Sequence, residues 1–435
     1  MARRTGIPGL LFHFLYPGIK LKRWLFLLLI SAVVLSTGLT GVLGTTFRNR
    51  NFHIKPLRNM ERKIRVYFKE RRSMDLWLIA LGAVGALFAV RRGYYAILAV
   101  YFPRREHQFM RLAYERARRK RGPRMVAIGG GTGLPNLLLG LKEYTDNLTA
   151  VVTVADDGGS SGRLRRQFRI LPPGDLRNCL VALADAEPLM GRLFQYRFSQ
   201  KGELHGHTFG NLFLTALAEV SGDFSRALAE SSRVLAVRGR VLPVTLDLVM
   251  LQARLKDGRI VKGESRIRDA DSPVDRVQLL PARVRANPEA VRALGRADII
   301  ILGPGSIFTS VIPNLLVPEI RDAVISARAL KIYVCNIMTE PGETDGFSAA
   351  DHMAGVTSYL AANALDAAVV NVEPAARQML ERYRREGAYP VANDQERIRA
   401  MGARVIAGRL LAQHGDYVRH DPVKLSRAII RFAAI

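Results

Sequence analysis

Residues 24 to 47 contain no charged side chain, and Leu, Ile and Val dominate this run between Arg23 and Arg48. A helix of about 20 residues covers the roughly 30 Å hydrocarbon core of a bilayer, so the run is long enough to span one. Trp24 sits at its edge, where an amphipathic ring prefers the interface. A secretory signal is the rival reading, although the run exceeds a usual signal core. Gly38, Thr40, Gly41 and Gly44 offer small surfaces for helix packing, and a plain lipid-facing helix accommodates them equally well. A second apolar segment, residues 76 to 102, is interrupted by Arg91 and Arg92. It reads either as a spanning helix whose arginines snorkel or as an interfacial segment rich in Tyr94, Tyr95, Tyr101 and Phe102.

From Met125 onward the pattern changes to short β-branched runs alternating with amphipathic stretches, which predicts a mainly parallel sheet with helices on both faces. Strand 125–128 leads to helix 134–144, and strand 148–154 ends in a polar loop. Residues 241 to 284 break the rhythm. Runs 251–255 and 260–261 flank Asp257–Gly258, which predicts a hairpin and a small β insertion. Strand 298–302 and strand 331–337 restore the theme, with a helix expected beyond Pro313. The expected organisation is a membrane-anchoring helical region at 1–103, a linker at 104–124 and an α/β domain at 125–435.

Charge sharpens this division. Residues 1 to 124 hold 26 Lys and Arg against 5 Asp and Glu, so they carry +21 of the total +27. The connector 48–72 alone has ten Lys and Arg, and two membrane spans would place it outside, against the positive-inside rule. The glycine-rich turn 129–133 after the first strand suits a phosphorylated ligand of the cytosol, which favours a two-helix anchor with the α/β domain inside. The basic linker, with Arg104, Arg105, Arg111, Arg116 and the run Arg118 to Arg121, suits anionic lipid at about 1 kcal/mol per cation. Nucleic acid is the less favoured partner, since no nucleic-acid motif accompanies the charge. Cys179 and Cys335, the only cysteines, read as reduced structural thiols.

Candidate chemistry gathers where strands end. Ligands of open α/β sheets bind outside the carboxyl ends of the strands. Gly129–Gly130–Gly131–Thr132–Gly133 follows the first strand and opens a helix, so bare amides can approach an anion at the positive helix end. The spacing matches neither G-x-G-x-x-G nor a P-loop, and close helix packing remains a rival explanation. The second loop, 155–163, joins Asp156 and Asp157 to Ser160, Ser161, Gly162 and Arg163. Its carboxylates suit a sugar hydroxyl or a divalent cation, its hydroxyls and Arg163 suit phosphate, and a solvated turn has similar composition. Asp175 is placed to cap the helix starting near Pro173 or to contact ligand. Arg177 in that first turn opposes the helix dipole, which an anion would explain. His207 and Asn211 are candidate hydrogen-bond donors; His205 and His207 do not share a helix face, which disfavours a zinc pair.

Six motifs occur in order: GGGTG at 129–133, ADDGGSSGRLR at 155–165, PPGDLRN at 172–178, HTFGNL at 207–212, LGPGS at 302–306 and NIMTEPGET at 336–344. Together they resemble the gluconeogenesis factor (YvcK-like) family of the CofD, or 2-phospho-L-lactate transferase, superfamily. The resemblance implies a Rossmann-like fold and, for close relatives, binding of UDP-sugars such as UDP-N-acetylglucosamine in proteins that regulate gluconeogenic growth and cell shape. In the transferase branch it implies transfer of a phospholactyl group to a deazaflavin, with acids holding magnesium; Asp157 and Asp175 match by position. The ADDGGSSG form is that of the regulatory branch. The loops and motifs single out Gly130, Gly131, Thr132, Gly133, Asp156, Asp157, Ser160, Ser161, Gly162, Arg163, Gly174, Asp175, Arg177, Asn178, His207, Asn211, Gly303, Pro304, Gly305, Ser306 and Thr339 as ligand-contacting. No catalytic residue emerges, because no nucleophile and base are paired. A homo-oligomer is a further possibility the residues leave open.

Overall fold

The structure is a computed structural model that describes residues 21–50, 58–101, 109–412 and 417–434. The expectations for the connector residues 51–57 and for Phe102, Arg104 and Arg105 lie outside the described residues. The chain forms two compact units, residues 1–115 and 116–435.

In the first unit, helices Leu21–Arg50 and Arg58–Tyr101 pack against each other. Each holds a stretch long and apolar enough to cross a bilayer, Arg23–Val42 and Ser73–Ala96. The second helix runs unbroken through Arg91 and Arg92, and the Arg92 guanidinium lies over the rings of Trp24 and Phe88 at 5.7 and 5.5 Å. Small residues set the approach. A Cβ on Gly82 would stand 2.7 Å from the Leu35 nitrogen, and one on Gly85 2.5 Å from Ser31 Oγ. Gly38 and Gly41 face Asp75 and Ile79 in the same way, whereas the Thr40 hydroxyl turns back to the Ser36 carbonyl at 2.8 Å. The pairs run in opposite order along the two helices, which makes the unit an antiparallel hairpin.

In the second unit, ten strands form two sheets: β1 Met125–Gly129, β2 Leu148–Val152, β3 Arg240–Pro243, β4 Met250–Leu255, β5 Ile260–Lys262, β6 Val274–Leu280, β7 Ile299–Leu302, β8 Leu330–Val334, β9 Ala367–Asn371 and β10 Arg404–Gly408. Seven are parallel, in the order β3-β2-β1-β7-β8-β9-β10. Every residue of β1, β2 and β7 is buried, as a central strand covered on both faces requires. The strand order reverses between β1 and β7, so the crevice of a doubly wound sheet opens above their carboxyl ends.

The insertion folds as its own antiparallel sheet, β5-β4-β6, and alternates buried and open positions along β4. It is followed across the hairpin by a short helix, Glu264–Arg268. Two expectations shift. After β7 the chain is already helical from Ile307, as a π-turn running into Ile312–Leu315, ahead of the helix expected beyond Pro313, which is present as Pro318–Ser326. Strand β8 ends at Val334, which frees Asn336 to Thr339 to enter the rim.

Candidate functional site

A cavity of about 640 Å³ opens at this reversal point. The glycine loops after β1 and β7 meet there: a Cβ on Gly133 would collide with the Pro304 carbonyl. Gly131 adopts φ +61°, a conformation open to glycine at little cost. Its amide donates to Asp175 at 2.7 Å, and the Gly305 amide donates to Asn336 Oδ1 at 3.1 Å. These two amides thus already have acceptors. Gly133, Gly159 and Ser160 begin helices and line the cavity, where first-turn N–H groups lack intrahelical partners.

Of the residues singled out above, Gly131, Thr132, Gly133, Asp156, Ser160, Ser161, Gly174, Asp175, Arg177, Asn178, Asn211, Pro304, Gly305, Ser306 and Thr339 line this one cavity. Gly130, Asp157, Gly162, Arg163, His207 and Gly303 do not, and each has a structural partner instead. Asp157 accepts from the Ser265 amide and hydroxyl, both at 3.0 Å, and so fastens the insertion to the loop after β2. Gly162 lets its helix pass the Asp157 carbonyl, and Gly130 lies against Thr153 and Asp175. Arg163 donates to the His205 carbonyl at 2.6 Å. Gly303 turns the chain at φ +76°, with the Val334 carbonyl 3.0 Å from where a Cβ would stand. His207 stands behind Ser160, whose hydroxyl is 3.0 Å from His207 Nδ1 and from Asn211 Nδ2.

Asp175 does not cap its helix. Pro172 occupies the N-cap and Pro173 suits the first turn, which leaves the carboxylate to the Gly131 amide. Arg177 is buried, bonded to the Thr208 hydroxyl and to Asn178 Oδ1 at 2.6 Å, with its Nε unpartnered. The site also draws on residues not singled out from the sequence, some of them inside its motifs. The insertion delivers Glu264 and Arg268, paired at 2.7 Å; Arg197 comes from the segment preceding HTFGNL. Asn336 and Glu340 lie within NIMTEPGET and bond each other at 3.1 Å. Tyr383, Tyr417, Arg419 and His420 close the far side, where Asn136 Nδ2 holds the His420 carbonyl at 2.6 Å.

Three carboxyls of the cavity wall, Asp175, Glu264 and Glu340, are pushed upward. Burial raises Asp175 to about 6, Asp156 adds to the effect and the Gly131 amide opposes it. Burial, then Asp156 and Asp175, lift Glu264 well above the carboxylate range. Burial also raises Glu340 and Glu343, and Glu343 accepts from Ser306 and Thr309. Burial and Arg197 lower Arg177 to about 10. Among the described residues no three carboxylate, His or Cys side chains converge as a ready metal site. Magnesium often takes one or two carboxylates and completes its shell with substrate phosphate; of the three aspartates, Asp156 and Asp175 line the cavity, whereas Asp157 is turned to Ser265.

A doubly wound α/β unit with a polar, glycine-rimmed cavity at its reversal point belongs to the open-sheet α/β proteins, whose ligands bind outside the carboxyl ends of the strands. Residues 125–411 match the family described as 2-phospho-L-lactate transferase CofD. A Bacillus subtilis protein named gluconeogenesis factor is 46% identical over 71% of this chain and 97% of its own length. A Nostoc relative that carries the same name provisionally is 43% identical over 97% of this chain and 92% of its own, and so shares the N-terminal region. A Bacillus halodurans crystal structure, described as a member of the UPF0052 family, is 44% identical with TM-score 0.69 and covers 71% of this chain and 99% of its own. The chain belongs to the CofD family, among its gluconeogenesis factors.

Proposed function

We propose that this chain is a membrane-tethered regulatory factor that binds a UDP-sugar of the UDP-N-acetylglucosamine kind, and that it serves gluconeogenic growth and cell-wall synthesis. The observation that carries the reading is the meeting of the two glycine loops over one 640 Å³ cavity that holds both arginines and carboxylates. Arg177 and Arg197 with the first-turn amides suit a diphosphate. The carboxylates suit sugar hydroxyls. The two apolar helices of the first unit support the tether.

The test is the melting temperature of the full chain in detergent with millimolar UDP-N-acetylglucosamine, since a ligand of the native state stabilises by RT ln(1 + [L]/Kd). A rise is expected, and its absence would refute the reading. A second reading, a magnesium-dependent transferase of phospholactyl groups to a deazaflavin, is favoured by the acid wall of Asp156, Asp175 and Glu264. Turnover of a deazaflavin acceptor with a guanylyl donor would establish it.

A further inference from the structure

The opposite rim of the seven-stranded sheet carries a second hollow of about 420 Å³, at the starts of β1, β2 and β3. Arg124, Arg240, Arg292 and Arg296 line it, facing Asp146 and Glu289. Three cations here have carboxylate partners: Arg119 with Asp146 at 3.3 Å, Arg124 with Asp298 at 2.6 Å and Arg240 with Glu289 at 3.5 Å. Those pairs consume all three acids. Arg292 and Arg296 are exposed and have no ion-pair partner among the described residues.

The linker helix Phe109–Lys120 ends at the same rim. Asn147, in the wall of the hollow, donates to the Lys120 and Gly122 carbonyls at 2.9 and 2.8 Å. Residues 116–124 contain six Lys and Arg and no acid. In sequence this segment begins 20 residues after Ala96, the end of the second apolar stretch.

We propose that this rim docks on an anionic bilayer, with a lipid phosphate in the hollow against Arg292 and Arg296. The three ion pairs leave a surplus of positive charge around a concavity, and guanidinium forks suit phosphate oxygens. Arg292 also suits the negative end of helix Pro288–Gly295, a local benefit that lipid would not alter.

The second unit can be tested alone, because the Bacillus subtilis relative consists almost wholly of it. Residues 116–435 are sedimented with vesicles of phosphatidylcholine alone or enriched in phosphatidylglycerol. Binding is expected only to the anionic vesicles, and Arg292→Ala/Arg296→Ala should weaken it about 25-fold, from about fivefold per cation near such a surface. Arg192→Ala/Lys201→Ala, which removes equal charge from the segment carrying Arg197, should leave it unchanged. The proposal is overturned if anionic vesicles do not bind, if both double variants behave alike, or if inorganic phosphate raises the melting temperature through Arg292 and Arg296 while vesicles fail to bind.

Discussion

Asp175 gives the most quantitative consequence of the site. Its carboxyl is raised from 3.8 to about 6, chiefly by burial. The native state therefore holds this proton more tightly than the unfolded chain does. Stability from this group is fully present below pH 3.8, declines between there and about pH 6, and is absent above about pH 7. A shift of about 2.2 units at about 1.4 kcal/mol per unit gives a cost near 3 kcal/mol for the ionised form. Cavity water screens part of it, so this is an upper bound. Asp175→Asn keeps an oxygen to accept from the Gly131 amide and removes the charge. The variant, in residues 116–435, should gain 1 to 3 kcal/mol or about that over the parent at pH 8, and the gain should shrink at pH 4.5. Urea denaturation at the two pH values measures it. An equal effect at both, or a loss at pH 8, would refute the assignment of a buried, proton-retaining carboxyl.

Gly131→Asp places a side chain at a positive φ and a second acid beside Asp175, so the thermal response to UDP-N-acetylglucosamine should vanish, as measured by differential scanning fluorimetry. Gly133→Val should part the two glycine loops at Pro304 and weaken that ligand at least tenfold by calorimetry, with the far-ultraviolet spectrum unchanged. Asp157→Ala removes both bonds to Ser265 and should cost about 2 kcal/mol, with amide exchange faster across residues 250–280; unchanged exchange there would show that the insertion is held otherwise. A Cβ at Gly85 would lie 3.4 Å from Ser31 Cβ, so Ser31→Cys/Gly85→Cys should crosslink on mild oxidation, and Gly82→Leu should abolish the crosslink.

The sequence made the glycine loops legible because a buried strand running into glycine and then a helix leaves a local signature. β1 with Gly131 and β7 with Gly305 both show it, and the order of strands brings them together. The acid wall had no such signature. Glu264 and Arg268 reach the cavity only because the β4–β5 hairpin folds back and Asp157 pins Ser265, a tertiary event with no periodicity to read. Adjacent Asp156 and Asp157 looked equivalent, yet their side chains diverge: one lines the cavity and the other supports the insertion. For the apolar segment around Arg91 and Arg92 the sequence left a spanning helix and an interfacial segment open, because the rings of Trp24 and Phe88 that meet Arg92 come together only in the folded chain.

The mixture of charges narrows the kind of ligand that the cavity can hold. Arg177, Arg197 and the first-turn amides attract an anion, while Asp156, Asp175, Glu264 and Glu340 would repel one placed against them. A pure phosphate site would have no use for four acids. The conflict is relieved where acids face hydroxyls, where they keep their protons, or where a divalent cation intervenes. The raised values of Asp175 and Glu264 make the second route available near neutral pH without a metal. Diphosphate binding by that route takes up protons, so affinity should fall as pH rises from 6 to about 8 and the fall should be smaller in Asp175→Asn. A magnesium route gives a different result: affinity lost on chelation and restored by the metal, with little dependence on pH in that range. Calorimetric titrations of UDP-N-acetylglucosamine at two pH values, with and without chelator, therefore separate a proton-balanced regulatory pocket from a metal-dependent transferase site.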